Sequence, residues 1–196
     1  SDPWAWEFAA VDPHGNVIFY DEIHAPGARI LPFAQAAKPK IDPYRWQAKV
    51  IDFENKIAAS ELAEHGIQFT NATKQNKNES IFRLNGYLHP NPLHGFPEWH
   101  PRSGKMGSPR LFVSSGNRHL RKQIPDQRWK RLQNSETFEN ELDDAVEKHG
   151  VDATLYVIRE LPRPTEIPRT VISDLSADLA PMSKIIHFER RNQKEQ

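Results

Sequence analysis

The pattern of apolar and polar positions predicts a β-hairpin at the start of the chain. Residues 4–12, WAWEFAAVD, alternate imperfectly and are rich in aromatic side chains, which is typical of a strand. Residues 17–23, VIFYDEI, begin with a continuous apolar run and also indicate a strand. The intervening PHGN, residues 13–16, has the composition of a turn. The two strands are therefore expected to pair.

A second pattern predicts a strand, a helix and a further strand in succession. Residues 47–52, QAKVID, indicate a short buried strand that ends at Asp52. KIAASELAEHGI, residues 56–67, follows with a helical apolar face that includes Ile57 and Leu62 and a C-terminal stop at Gly66. IQFT then indicates the next strand. This order predicts a βαβ unit with two parallel strands and a helix packed on the sheet.

The rest of the chain is predicted from the same periodicities. RILPFAQAAKPK, NESIFRLNGYL and GNRHLRKQI indicate helices, and RLFVS indicates a strand. Residues 89–109 are rich in Pro and His and are expected to form a long loop, while residues 138–150 are expected to be helical. From Pro162 onward the sequence is polar and broken by proline, so we predict one domain over 1–161 and an extension or tail over 162–196.

The last predicted helix carries the most informative local pattern. In HGVDATLYVIREL, residues 149–161, the apolar stripe contains Val151, Leu155 and Ile158. His149 and Asp152 are three residues apart and would project from the same face of the first turn. A polar first turn is ordinary in itself, because a carboxylate near a helix N-terminus is favoured by the helix dipole. A metal-binding pair is the alternative interpretation.

Asp52 is the second candidate, because it lies where a buried strand enters a loop. Ligands of open α/β sheets bind outside the carboxyl ends of the strands. The competing interpretation is that Asp52 caps the next helix, but that helix is expected to begin nearer Asn55. Histidines 89, 94 and 100 match no compact zinc motif and are attributed to the loop.

Composition restricts the chemistry further. The chain has 196 residues, 37% of them hydrophobic, which is enough for the core of one domain. It has no Cys, so disulfides and thiolate metal sites are excluded, and any metal must be held by Asp, Glu and His. Such a ligand set favours Mg²⁺ or Mn²⁺ over Zn²⁺. No apolar run approaches the length of a membrane span, so no membrane partner is expected.

The net charge is zero, but the charges are segregated along the chain. Residues 118–131 contain six Lys or Arg against one Asp, and residues 136–152 contain seven acidic residues against one Lys. Runs of this kind usually form solvated surfaces, and Asp143, Asp144 and Glu147 are interpreted as solvated helix residues. A basic surface beside an acidic pocket also suits a nuclease. The basic residues predicted to contact DNA phosphates are Arg118, Arg121, Lys122, Arg128, Lys130 and Arg131.

Four segments in order carry a resemblance to a known family. They are DEIHAPG, VIDFENKIAASELAEHGI, PRLFVSSGNRHLRKQIPDQRW and HGVDATLYVIREL. Their order and spacing resemble the C-terminal nuclease domain of tailed-phage large terminases, over residues 2–161. The resemblance implies an α/β fold of the RNase H-like type, with a mixed central sheet and helices on both faces. The matching site positions are Asp52, which ends a central strand, and His149, Asp152, Ala153 and Tyr156, which open a late helix.

The resemblance also implies a third carboxylate, on the first strand of the fold. Asp2 is the acidic residue near that position, but a single residue precedes it, which is too short for the strand. SDPWAWEFAAV could equally follow the catalytic strand, in which case the third carboxylate lies upstream of residue 1. Both assignments are consistent with the sequence.

By this resemblance, the expected function is a metal-dependent, largely sequence-tolerant DNA endonuclease that cuts concatemeric viral DNA during packaging. Two Mg²⁺ or Mn²⁺ ions would be held by Asp2, Asp52, His149 and Asp152. The implied partners are double-stranded DNA, an upstream ATPase motor domain, a portal and a small terminase subunit, in the cytoplasm of the infected host cell. No phosphate-binding loop occurs in these residues, so the motor itself is not here.

Two alternatives remain from the sequence. One is a catalytically silent RNase H-like domain that binds DNA or docks onto a portal or motor, which the uncertain first carboxylate favours. The other is a Holliday-junction or transposase-type nuclease, for which a clearer acidic pair on the first strand would be expected.

Overall fold

The structure, a computed structural model, describes residues 4–52, 56–72, 77–131, 138–143 and 145–161, with only the backbone described at 129–131 and 138–141. Nine strands lie in these ranges: β1 (Trp4–Val11), β2 (Val17–Ala25), β3 (Val50–Ile51), β4 (Thr70–Asn71), β5 (Asn91–Gly95), β6 (Met106–Ser108), β7 (Leu111–Val113), β8 (Trp129–Arg131) and β9 (Phe138–Leu142). The helices there are α1 (Ile30–Ile41), α2 (Lys56–Glu64), α3 (Lys77–Leu88), α4 (Arg118–Asp126) and α5 (His149–Arg159). None of these helices is long and apolar enough to cross a bilayer.

The first two strands form the predicted antiparallel hairpin, and the turn between them explains its register. The carboxylate of Asp12 accepts hydrogen bonds from the backbone N–H groups of His14, at 2.9 Å, and Asn16, at 2.8 Å. Gly15 has a φ of 76°, a left-handed conformation that glycine adopts without a steric penalty. The turn therefore places Val11 opposite Val17 and aligns the strands behind it.

The sheets combine antiparallel and parallel pairing. β2 pairs with β1 on one side and runs parallel to β7 on the other, giving the order β1-β2-β7. β3 and β4 pair in parallel around α2, which is the predicted βαβ unit. Within the described residues, β1 pairs only with β2, so its second edge has no strand partner.

Alternate residues of β1 face two different cores. Phe8 lies in a core with α1 and α2, which contribute Phe33, Ala37 and Leu62. Ala9 faces a second core built from α3, α4 and α5. Helices thus cover both faces of the sheet, and the predicted mixed α/β architecture is confirmed.

The apolar stripe predicted for α5 is buried as expected. Val151, Leu155 and Ile158 all lie in the second core, together with Leu120 of α4 and Leu84 of α3. Burying three side chains of this size stabilises the fold by roughly 1.5–3 kcal/mol each. Because this stripe is fixed, the first turn of α5 is held at a defined position beside β1.

The structure corrects three details of the local prediction. Ile57 is 77% exposed and does not belong to the buried face of α2, whereas Leu62 does. The segment 89–109 is not only a loop, because β5 and β6 form an antiparallel hairpin within it. Residues 138–142 form β9, paired with β8, rather than a helix. Phe138 and Leu142 are four residues apart, a spacing that fits one face of a helix and one face of a strand alike.

Candidate functional site

Two of the predicted carboxylates, Asp52 and Asp152, act on one tyrosine, Tyr156. Asp52 follows β3 at its carboxyl end, and the Tyr156 hydroxyl of α5 donates a hydrogen bond to it. The pKa of Tyr156 is raised, first by burial, then by this hydrogen bond and by the charges of Asp52 and Asp152. Asp152 lies one helical turn before Tyr156 on α5. The strand end and the helix therefore bring both carboxylates to a common neighbourhood.

A lysine ammonium accompanies one of these carboxylates. Lys77 Nζ lies 2.8 Å from Asp152 Oδ1, and the two side chains are 43% and 31% exposed. His149 is the first residue of α5, as predicted. Among the described residues, the ligand atoms of Asp52, His149 and Asp152 do not all lie within 4.8 Å of one another. The assignment of these three residues to one metal site stays a prediction.

A buried carboxyl group on β1 adds to the site and was not predicted from the sequence. Burial and, secondarily, the charge of Glu22 raise the pKa of Glu7 to about 8, while a hydrogen bond from Asn117 acts in the opposite direction. The Asn117 side-chain amide donates to Glu7 Oε2 at 3.2 Å. At neutral pH the carboxyl group of Glu7 is therefore largely protonated. The sequence signal that could have identified Glu7 is an acidic residue at an inward-facing position of a strand rich in aromatic residues.

Glu22 is the direct cross-strand neighbour of Glu7 and has a different role. Its carboxylate accepts hydrogen bonds from the backbone N–H groups of His119, at 2.9 Å, and Leu120, at 3.1 Å, in the first turn of α4. Anions are favoured at helix N-termini because the first N–H groups have no partner within the helix. Glu22 thus attaches α4 to the hairpin.

Gly150 permits the close approach of α5 to β1. Its backbone N–H donates to Gln123 Oε1 at 2.8 Å. A Cβ atom at this position would lie 2.9 Å from Glu7 Oε1 and 3.0 Å from Gln123 Oε1. These distances are shorter than normal van der Waals contacts, and Gln123 is buried. A Cβ atom here would displace the ends of the Glu7 and Gln123 side chains, which are packed between α5 and β1.

We expect Gly150→Ala to destabilise the protein by about 1–3 kcal/mol, the usual cost of overpacking a buried contact. This expected destabilisation is opposite to the effect of intrinsic helix propensity, because Ala is about 1 kcal/mol more favourable than Gly inside a helix. Gly86→Ala is the matched control, because Gly86 is exposed in the last turn of α3 and should gain stability. Urea unfolding of both variants measures the difference. Stabilisation by both substitutions would contradict the close contact.

A cluster of two histidines and a glutamate lies beside the N-terminus of α5. His24 of β2 and His119 of α4 have stacked rings, with centroids 4.0 Å apart. His24 Nε2 lies 3.4 Å from Glu147 Oε1. Burial, and next the neighbouring His119, lower the pKa of His24.

Neither Asp143 nor Glu147 is in a helix, contrary to prediction, and Asp144 lies outside the described residues.

Part of the predicted basic segment is exposed on α4. Arg118, Arg121 and Lys122 are exposed on α4 at a spacing that places them on one face. Arg128 instead pairs with Asp143, with 2.8 Å between Nε and Oδ2. The side chains of Lys130 and Arg131 lie outside the described part of the chain. DNA contact by these residues stays a prediction.

The remaining candidates are placed apart from this region or are not described. Asp2 and the extension 162–196 lie outside the described residues. His94 Nδ1 is 3.4 Å from the Ser108 carbonyl oxygen, and His100 stacks on Phe96. His94 lies in β5, whereas His89 and His100 lie outside the strands of this segment, so the interpretation as loop residues is wrong for His94.

Together, the antiparallel hairpin, the parallel βαβ unit and the helices on both faces form a mixed α/β fold. No protein-family profile matches the chain, and no curated protein sequence matches it. Among solved structures, the chain is similar to the nuclease domain of the g2p large terminase from bacteriophage SPP1, determined with bound Mn. The TM-score is 0.55 at 16% sequence identity, and the match covers 81% of this chain and 78% of that one. The predicted terminase-nuclease-like fold is therefore confirmed.

Proposed function

We propose that this protein is a metal-dependent DNA endonuclease that cuts concatemeric viral DNA during genome packaging. The observation that carries the proposal is the meeting of Asp52 and Asp152 at Tyr156, at the carboxyl end of β3. Its fold is similar to that of an Mn-bound large-terminase nuclease domain, which supports the same assignment. Cleavage of this kind requires convergent carboxylates from separate elements, and here they come from a strand end and a helix.

The donor set fits Mg²⁺ or Mn²⁺. Asp52 and Asp152 offer carboxylate oxygens, which these ions prefer, and His149 offers a nitrogen that Mn²⁺ accepts more readily than Mg²⁺. The ammonium of Lys77 lies beside Asp152, so this carboxylate already attracts a cation. Two bound ions would stabilise charge on the scissile phosphate and activate a water molecule. The third carboxylate is either Asp2 or a residue upstream of residue 1.

The protein's own groups orient the site and hold the substrate. Tyr156 donates a hydrogen bond to Asp52, which would orient this carboxylate. His149 would act as a metal ligand in its neutral form. The exposed face of α4 would hold the DNA backbone through Arg118, Arg121 and Lys122 without reading bases. Since phosphates are common to every sequence, cleavage is expected to be largely sequence-tolerant.

The wider setting follows from the same proposal. The substrate is double-stranded DNA, the motor is an ATPase domain upstream in the full-length polypeptide, and the docking partners are a portal and a small terminase subunit. The reaction would take place in the cytoplasm of the infected host cell.

The second candidate is a catalytically silent domain that binds DNA or docks onto the motor. This second candidate is favoured by the spacing of Asp52, His149 and Asp152. Among the described residues, their ligand atoms do not all lie within 4.8 Å of one another.

Plasmid digestion distinguishes the two candidates. Supercoiled plasmid is incubated with the protein in Mn²⁺, in Mg²⁺, or in excess chelator. The endonuclease produces nicked and linear products with a metal ion and none with chelator. Failure to cut in either metal, with the plasmid still retarded on a native gel, would favour the silent DNA-binding domain.

Tyr156→Phe is expected to raise the metal concentration needed for half-maximal cleavage by about 10–100-fold, the usual effect of removing a hydrogen bond to a ligand. The ring keeps its position, and only the hydroxyl that contacts Asp52 is lost. Tyr44→Phe is the control, since Tyr44 is exposed and follows α1. A purely structural role would lower the melting temperature without changing the metal requirement.

DNA binding is expected to be non-specific and sensitive to salt. Replacing Arg121 and Lys122 together with Gln should reduce the slope of log affinity against log salt by about 1.8, because each phosphate contact contributes roughly 0.9. This pair tests the surface better than Arg128, which is engaged with Asp143. Arg29 and Arg45, both exposed near α1, provide the double control. An unchanged slope in the α4 variant would exclude this surface as the DNA path.

A further inference from the structure

The cluster of His24, His119 and Glu147 has the composition of a metal site that the proposed nuclease chemistry does not use. Each residue offers one ligand atom, and these atoms all lie within 4.8 Å of one another. Among the described residues, this cluster is the group of three His or acidic side chains whose ligand atoms lie that close together. Two imidazole nitrogens and one carboxylate oxygen are available from three separate elements.

The three side chains are anchored differently. His24 is on β2 with only 9% of its side chain exposed, so its ring is fixed by the surrounding structure. The backbone of His119 is held by Glu22, but its side chain is exposed. The Glu147 side chain is 46% exposed and precedes α5. One largely covered ligand and two exposed ligands could therefore close around an ion.

A modest rearrangement would bring the donors to coordination distance. The His24 and His119 rings stack at an interplanar angle of 10°. Imidazole lone pairs lie in the ring plane, so two stacked rings cannot both point at one ion until one ring turns. His119 is the exposed member and has the freedom to do so. Zinc–nitrogen bonds of about 2.0–2.1 Å would then draw the ligand atoms closer together.

We propose that His24, His119 and Glu147 bind a transition-metal ion of the zinc class at a site separate from Asp52 and Asp152. Two nitrogens and one oxygen suit Zn²⁺, Co²⁺ or Ni²⁺ and disfavour Mg²⁺, which prefers oxygen ligands and octahedral geometry. Three protein ligands leave a fourth position for water. The proposed site includes neither Asp52 nor Asp152 and does not depend on cleavage activity, although His149 lies close enough to contribute to lowering the pKa of His24.

The expected consequence is structural. A bound ion would connect the end of β2, the first turn of α4 and the segment that leads into α5. α5 carries His149 and Asp152, so the ion would hold the start of the helix on which the proposed catalytic residues lie. Binding to the folded state alone raises the free energy of unfolding by mass action. Zinc should therefore raise the melting temperature.

The test is a metal titration of the full chain after treatment with chelator and its removal. Co²⁺ is followed by its visible absorption, and Zn²⁺ is then added in competition. We expect one Zn²⁺ per chain at this site and a rise of several degrees in the melting temperature. His119→Asn and Glu147→Gln should each weaken binding at least about tenfold and abolish the thermal shift. Both side chains are exposed, so neither substitution should prevent folding.

Two controls define the site. His89→Asn removes an exposed histidine outside the cluster and should bind Zn²⁺ as the wild type does. Asp52→Asn should also retain Zn²⁺ binding, which separates this site from the proposed nuclease centre. The inference is overturned if the wild type binds no Zn²⁺, or if both cluster variants bind it unchanged. It is equally overturned if Asp52→Asn loses the ion, because the two sites would then be one.

Discussion

Asp52→Asn is expected to abolish DNA cleavage, with a loss of at least about 100-fold, while the protein stays folded. Asn has nearly the shape of Asp and retains an oxygen that can accept the Tyr156 hydrogen bond. It carries no charge, so it cannot replace a carboxylate as a ligand of Mg²⁺ or Mn²⁺. The position follows β3 directly, where a loss of charge opens no cavity in the core.

Asp152→Asn is expected to have the same effect on cleavage. It also removes the ion pair with Lys77, but this pair is substantially exposed and contributes at most about 1 kcal/mol. The measurement is single-turnover cleavage in Mn²⁺ and in Mg²⁺, with melting temperatures recorded in parallel. Asp42→Asn, at an exposed position after α1, is the matched control and should cut normally. Full activity of either site variant at an unchanged melting temperature would remove that residue from the metal site.

Glu7→Gln is expected to change the pH dependence of stability more than any other single substitution in the described part of the chain. The pKa of Glu7 is about 8 in the folded protein, against an ordinary value of 4.5. The folded state therefore binds this proton more tightly than the unfolded state does. The resulting stabilisation is fully present below about pH 4.5 and is lost as the pH rises through about 8.

The loss amounts to roughly 5 kcal/mol, since each pKa unit corresponds to about 1.4 kcal/mol. The glutamine side chain of the variant would resemble the protonated carboxyl group and keep an acceptor for Asn117, so the variant should avoid most of this loss. Urea unfolding of both proteins between pH 5 and pH 8.5 measures the effect. The variant should become the more stable protein as the pH increases. Glu98→Gln, at an exposed position, should follow the wild type at every pH. Parallel curves for Glu7→Gln and the wild type would show that Glu7 ionises normally in the folded state.

Several elements were predictable because their signals are local. The hairpin follows from alternation on either side of a turn, and Asp12 and Gly15 stabilise that turn through contacts a few residues away. The βαβ unit follows from a helical period between two short apolar runs. Helix α5 follows from an apolar stripe that any buried helix of this length would need. The RNase H-like architecture, however, came from the resemblance of ordered motifs rather than from periodicity.

Other elements were not predictable because they depend on distant partners. Residues 138–142 have a spacing that both helices and strands accept, and pairing with β8 decides in favour of the strand. The hairpin of β5 and β6 is likewise set by pairing across a segment rich in proline. Ile57 and Leu62 have similar hydrophobicity, and only packing against α1 determines that Leu62 is buried.

For the candidate site, the sequence by itself determined which residues end β3 and open α5, and therefore identified Asp52, His149 and Asp152 as candidates. Only the tertiary structure decided what surrounds them, because a pKa and a ligand group depend on distances between side chains remote in sequence. Glu7 is an ordinary acidic residue in the sequence, and it becomes a protonated one when α4, α5 and Glu22 enclose it. His24, His119 and Glu147 meet for the same reason, because β2, α4 and the start of α5 pack side by side. Periodicity is a property of neighbouring residues, whereas desolvation and convergence of ligands arise when the chain folds.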